Sequence, residues 1–270
     1  MDGETLKKVQ NVLLEIALEV QRVCDENDIA CSLTYGSLLG AVRHQGFIPW
    51  DDDLDLAMPR EDYDRFREIA AEKLDPRFCF QDWHTDPNYS NPFGKVRLKN
   101  TKYIGAKDPD LSENGFYVDI FPLNYMPKTE KERKKQIRLQ STLCRIKLMK
   151  SHYKPWQEDH SINLKKRIGY LPFQLASLFF SQQDLIRRHD AISLLPPNDR
   201  VYEEAGVVYE EYPADCFRNL REFPFAGATL KGPVDYDQVL TTMYGDYMQL
   251  PPVEERENRH QIQILEFPRD

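Results

Sequence analysis

Asp51, Asp52, Asp53 and Asp55 fall within five consecutive positions, and an apolar alternation begins among them at Leu54 and Leu56. A strand over 53–58 places Asp53 and Asp55 on one face and the two leucines on the other. Carboxylates two positions apart on one strand face repel each other, so the fold must bring a positive charge to them. Their hard oxygen atoms suit Mg²⁺ or Mn²⁺. Upstream, Gly36-Ser37 ends an apolar run over 29–35, read as the first strand, and opens a predicted helix over Leu38–Arg43. A turn at a helix N-terminus presents free N–H groups and a positive dipole end to an anion. A cation site and an anion site this close in sequence suit chemistry at phosphorus.

A bare Asp-x-Asp is weak evidence, because acidic pairs are common on surfaces. The longer block is more specific. Tyr35-Gly36-Ser37, Leu39-Gly40-Ala41-Val42-Arg43-His44, Gly46-Phe47-Ile48-Pro49-Trp50 and Asp51-Asp52-Asp53-Leu54-Asp55 together resemble the LicD family of phosphotransferases. A second block, Asp119-Ile120-Phe121-Pro122-Leu123, resembles the same family, as do Tyr244-Gly245-Asp246, Leu250-Pro251-Pro252 and the stretch from Arg256 to His260. The resemblance implies an α/β (α+β) fold with a mixed sheet, a nucleotidyltransferase core like that of DNA polymerase beta. Fifteen residues separate Ser37 from Asp53, more than in minimal members of that fold, and the segment from His44 to Trp50 is the elaboration.

The resemblance also implies roles. Asp53, Asp55 and Asp119 are the expected catalytic and metal-holding carboxylates, for Mg²⁺ or Mn²⁺. Gly36, Ser37, Arg43, Lys95 and Arg97 are the expected substrate-binding residues. Asp119 also stands out by itself, since a lone carboxylate in an apolar, aromatic strand is costly to bury unless paired or metal-bound. Lys95 and Arg97 share a strand face by alternation. That face, with Thr101 at its end, reads either as phosphate-facing or as solvated. The implied reaction is transfer of phosphocholine from CDP-choline to a sugar hydroxyl of a cell-surface glycan precursor, of teichoic acid or lipopolysaccharide type, with release of CMP. Another CDP-linked donor such as CDP-ribitol, used by relatives like fukutin, and a plain nucleotidyltransferase using an NTP are the alternatives. A quaternary ammonium favours an aromatic cage. Tyr35, Trp50, Trp83, Tyr89, Phe93, Tyr103 and Tyr117 are available, with Trp50 expected to pack the fold.

The remaining chain sets the frame. Leu6, Val9, Leu13, Ile16, Val20 and Val23 recur at helical spacing and predict a long amphipathic helix. Helices are also predicted over 61–74, 129–150 and 235–244, strands over 78–83, 93–98 and 115–123, a strand region over 202–209, and a hairpin over 223–233. The division expected is a core over 1–125, a helical insertion over 126–200 and a C-terminal part over 201–270 that completes the domain. The formal net charge of −8 argues against nucleic acid as a partner. Five widely spaced cysteines without a CxxC suggest neither a zinc site nor a disulfide framework, and a reducing cytoplasm is expected.

Many lysines and arginines line 131–150 and continue through Lys165, Lys166 and Arg167 into the apolar run 168–180. The run is too short to span a bilayer. It fits a packed helical subdomain or a peripheral element on the inner face of the plasma membrane, and packing is the expectation, as the commoner use of amphipathic segments. Residues 125–200 match the resemblance poorly and are where acceptor specificity is expected.

Overall fold

The protein is described from a computed structural model, which defines residues 1–105, 113–153, 157–158, 161–162, 164–205, 210–256 and 262–268. His260 and Gly206 lie outside the described residues.

In chain order the elements are α1 (Gly3–Glu26), β1 (Ser32–Leu33), α2 (Tyr35–His44), β2 (Asp55–Pro59), α3 (Arg60–Lys73), β3 (Phe78–Gln81), β4 (Gly94–Leu98), β5 (Lys102–Gly105) and β6 (Tyr117–Tyr125). There follow α4 (Glu130–Lys150), β7 (Gln157–Glu158), β8 (Ser161–Ile162), α5 (Leu164–Ser177) and α6 (Gln182–Ser193). The chain ends with β9 (Arg200–Glu203), β10 (Glu211–Pro213), β11 (Leu220–Phe225), β12 (Ala228–Pro233), α7 (Tyr236–Tyr244) and β13 (Ile262–Glu266). The fold is mixed α/β.

A curled, mixed sheet in the order β1-β2-β6-β4-β3 carries the site, and β9 and β10 extend it. β6 is its spine. Its first half pairs in parallel with β2 and antiparallel with β4, and its last residues pair antiparallel with β9. Nearly every side chain of β2, β4 and β6 is buried. That explains the near-continuous apolar runs of β2 and β6, because a strand covered on both faces loses its polar alternation, whereas β4 keeps Lys95 and Arg97 on one face. The apolar stripe of α1 supplies one cover: Val9, Leu13, Ile16, Ala17, Val20 and Val23 are fully buried and pack toward β6 and β4. α3 covers β2, β3 and β6.

Two local expectations shift. The first strand shrinks to Ser32–Leu33, and α2 begins at Tyr35, so Gly36 and Ser37 lie inside the first helical turn. The second strand begins at Asp55, with Asp53 just before it. Gly40 explains how α2 fits. A Cβ there would stand 2.3 Å from the Gly46 carbonyl oxygen, so only glycine lets the helix lie against the loop that leads to the aspartates. The hairpin β11–β12 packs beside α2 and α7, and Gly245 ends α7 at φ 65° with its N–H on the Thr241 carbonyl. Among the described residues no helix is long and apolar enough to cross a membrane.

Candidate active site

The N-terminus of α2 is stitched to the acidic strand from both sides. Thr34 donates its N–H to the Asp55 carbonyl at 3.2 Å, and the Asp55 N–H donates to Ser37 Oγ at 2.9 Å. Ser37 therefore spends its hydroxyl on the strand backbone. Gly36 admits Asp51 beside the helix, since a Cβ there would stand 2.8 Å from Asp51 Oδ2.

Register brings the third carboxylate in. Asp55 and Asp119 are directly paired on β2 and β6, and Lys95 on β4 is paired with Asp119. The Lys95 ammonium makes an ion pair with Asp119 Oδ1 and lies 3.3 Å from the centre of the Tyr117 ring. Asp55 is buried, and its carboxyl is held well above the usual range, by burial first and then by Asp53, Asp119 and Asp51, with Lys95 pulling it back. Lys95 thus opposes a cluster of carboxylates that disfavour one another's ionisation.

Among the described residues no three acidic, imidazole or thiol side chains are already gathered as a metal-holding cluster. Asp119 is instead shared with Lys95. The chemistry of Asp51, Asp53, Asp55 and Asp119 still fits a hard divalent cation, because all four are carboxylates and their crowding around Asp55 is what such a cation relieves.

An open cleft of about 590 Å³ lies over this strand end. Asp51, Asp53 and Asp55 line one part, and Tyr35, Gly36, Leu39 and Arg43 of α2 another. The C-terminal segment closes it with Tyr244, Asp246, Tyr247 and Gln249 to Pro252. Arg43 fixes that segment by donating from Nη1 to the Tyr247 carbonyl at 2.8 Å. Its guanidinium is pushed below its ordinary value by burial and by Arg256, which lies 5.6 Å from the Trp50 ring centre. The His44 imidazole is lowered too, by burial and then by Arg43.

Not every candidate residue reaches the cleft. Arg97 is buried and donates to Gln81 Oε1 at 2.7 Å and to the Gly115 carbonyl at 3.0 Å. Thr101 donates to the Leu98 carbonyl and accepts from the Phe116 N–H. The solvated reading of the basic face does not hold, since Lys95 and Arg97 are both buried, and the donors named here serve the fold. Trp50 lines the cleft besides packing. Trp83 and Tyr89 belong to a separate apolar cluster with Cys144 and Ile186, and Tyr103 stacks on Phe116.

Three residues in or beside the cleft have roles that the sequence reading does not assign. Tyr244 lines the cleft and is 44% exposed, and its phenol is pushed above the ordinary range by partial desolvation against the cleft and then by Asp55, Glu203, Asp51 and Asp53. Arg256 joins Arg43. Glu203, fully buried behind the cleft wall, accepts a hydrogen bond from Thr34 Oγ1, the residue that starts α2. The Tyr-Gly-Asp block was the only local signal for Tyr244, and Glu203 had none.

The model of the LicD/FKTN/FKRP nucleotidyltransferase domain family matches residues 28–165. The chain belongs to this family. The match holds α2, the acidic strand, Lys95 and Asp119, and it runs through 125–165, further into the helical region than the motifs suggest. Over 276 aligned residues the chain is 28% identical to the lipopolysaccharide cholinephosphotransferase LicD of Haemophilus influenzae, covering 95% of this chain and 96% of that protein. Two uncharacterized rickettsial proteins match shorter stretches. The one from Rickettsia typhi is 42% identical over 60 residues, covering 22% of this chain and 19% of that protein, and the one from Rickettsia prowazekii is 39% identical over 66 residues, covering 24% and 23%.

Proposed function

We propose that this LicD-family phosphotransferase moves phosphocholine from CDP-choline to a sugar hydroxyl of a cell-surface glycan precursor and releases CMP. The observation that carries the reading is the polarity of one cleft, with Asp51, Asp53 and Asp55 in one part and Arg43, backed by Arg256, in another. A CDP conjugate has the complementary layout. Its diphosphate pairs with guanidinium groups, and its quaternary ammonium suits the aromatic faces of Tyr35, Trp50 and Tyr244, which line the same cleft. The similarity to a lipopolysaccharide cholinephosphotransferase supports the choice of donor and acceptor class.

Asp53, Asp55 and Asp119 would hold Mg²⁺ or Mn²⁺, which when bound supplies neutralisation of diphosphate oxygens. The chain's own groups do the rest. The first turn of α2 turns its N–H groups and dipole toward the donor phosphate. Arg43 orients the diphosphate. The acceptor oxygen bonds to the phosphorus of phosphocholine while the bond from that phosphorus to the bridging oxygen breaks, and CMP leaves with that oxygen. The acceptor proton passes to a carboxylate at the cleft wall.

The test measures CMP release from CDP-choline and CDP-ribitol, and pyrophosphate release from CTP and ATP, with and without Mg²⁺. Mg²⁺-dependent CMP release from CDP-choline, lost in Asp53→Asn with the fold retained, is the expected result. Turnover of CDP-ribitol alone would replace the donor, turnover of an NTP alone would replace the reaction, and full activity of Asp53→Asn would sink the site assignment.

A further inference from the structure

α5 is apolar on two opposite sides, and among the described residues only one of them is covered. Tyr170, Phe173, Ala176 and Ser177 are at least partly buried, and the helix packs on α4, where Arg145 lies over the Phe173 ring at 5.5 Å. The opposite side carries Leu164, Ile168, Leu171, Leu175 and Leu178, spaced four, three, four and three residues apart, so at 100° per residue they form one narrow stripe. Every one of them is at least half exposed, and Leu178 and the adjoining Phe179 are 73% and 83% exposed. A contiguous stripe of this kind marks an interaction surface. The expected packing of the run therefore holds for the side on α4, and the opposite side is exposed.

Charge identifies what covers it. Residues 126–200 hold sixteen Lys and Arg against seven Asp and Glu, a net +9, whereas the whole chain carries −8, so the remainder carries −17. The positive charge borders the stripe. Lys165 and Arg167 on α5 are exposed, Arg188 is exposed and lies over the Phe180 ring at the end of the run, and the exposed Arg187 next to it pairs with Asp184 at 2.6 Å. A two-fold contact with a second copy would set one cationic surface against another. A helix of 14 residues reaches only about 21 Å, short of the roughly 30 Å hydrocarbon core.

We propose that α5 lies in the surface of an anionic lipid bilayer, with Leu164, Ile168, Leu171, Leu175, Leu178 and Phe179 inserted among the acyl chains and Lys165, Arg167, Arg187 and Arg188 on the headgroups. The inference does not depend on which donor the cleft takes. The combination of an apolar stripe and flanking basic residues is what an interfacial helix needs, the apolar area supplying insertion and the lysines and arginines the preference for negative lipid.

The test is flotation of the full chain with vesicles of phosphatidylcholine alone and of phosphatidylcholine mixed with phosphatidylglycerol. The wild type is expected to float with the mixed vesicles, in a bound fraction that falls as salt is raised, and to stay behind with phosphatidylcholine alone. Leu175→Glu with Phe179→Glu is expected to lower vesicle partition by more than about tenfold, since it removes two inserted apolar side chains. Lys165→Glu with Arg167→Glu is expected to abolish the preference for the anionic vesicles. Both pairs are exposed, so thermal unfolding should match the wild type, and the two variants test the apolar and charged contributions separately. Failure of the wild type to float with anionic vesicles, or wild-type flotation of Leu175→Glu with Phe179→Glu, overturns the proposal. A dimer in sedimentation that this pair dissociates would assign the face to a second copy instead.

Discussion

Glu203 gives the sharpest test of how this fold manages charge. Its carboxyl is fully buried behind the cleft and is pushed from 4.5 to about 7, chiefly by burial, with Glu210 adding to the rise and hydrogen bonds from Thr34 and Tyr35 opposing it. A raised acid binds its proton more tightly in the folded state, so its contribution to stability is intact at low pH and falls as pH climbs through the interval between the two values. That interval, from 4.5 to about 7, corresponds to about 3 kcal/mol lost at neutral pH and above, at roughly 1.4 kcal/mol per pH unit. Glu203→Gln removes the titration and keeps an oxygen for Thr34 Oγ1. At pH 5 the variant and the wild type should differ by less than about 1 kcal/mol, because glutamine mimics the protonated acid. At pH 8 the variant should be the more stable by about 2–3 kcal/mol.

Urea unfolding followed by tryptophan fluorescence, repeated between pH 5 and pH 8, reads the difference directly. Other titrating groups act alike in both proteins and cancel. A gap that stays constant with pH, or a variant less stable at every pH, would mean that Glu203 is ionised in the fold and held by a partner, and the reasoning would fail.

Two further substitutions probe the site's frame. Asp119→Asn removes the charge that Lys95 faces, and breaking a buried pair costs about 3 kcal/mol; Lys95→Met should recover part of it in a double-mutant cycle by urea unfolding, and additive effects would show that the pair is not coupled. Gly40→Ala gains about 1 kcal/mol of helix propensity, yet its methyl would meet the Gly46 carbonyl oxygen at 2.3 Å. The overpacking should win by about 1–2 kcal/mol, lowering the Tm by several degrees, and an unchanged or raised Tm would show that the loop moves freely.

What the sequence revealed about this protein follows the range of the interactions involved. The long helix, the acidic strand and the hairpin announce themselves through periods of a few residues. The Gly-Ser and Asp-x-Asp motifs are local as well, and their meeting at one end of the sheet needs only that β1 and β2 pair. Helix starts are harder. Tyr35 takes φ 43°, and α2 begins there because Thr34 is held by the Asp55 carbonyl and by Glu203, the latter a residue 169 positions away. No local pattern encodes such a hold. The same distance hides the cleft's other wall, since Arg43 reaches Tyr247 across 204 positions.

Alternation placed Lys95 and Arg97 on one strand face but said nothing about what stands opposite. Opposite Lys95 stands Asp119, and beside Arg97 stand Gln81 and the Gly115 carbonyl, so the two cations differ in role although the strand pattern treats them alike. The α5 run shows the limit from the other side. Its period was legible, yet a period reports only that apolar residues share a face, and burial depends on whether another element arrives to cover it. Here α4 covers one side, and the stripe of Leu171, Leu175 and Leu178 remains exposed. A helix apolar on two opposite sides needs a cover for each, and where the fold supplies one the other is left to a surface outside it; the charge around this one favours an anionic surface.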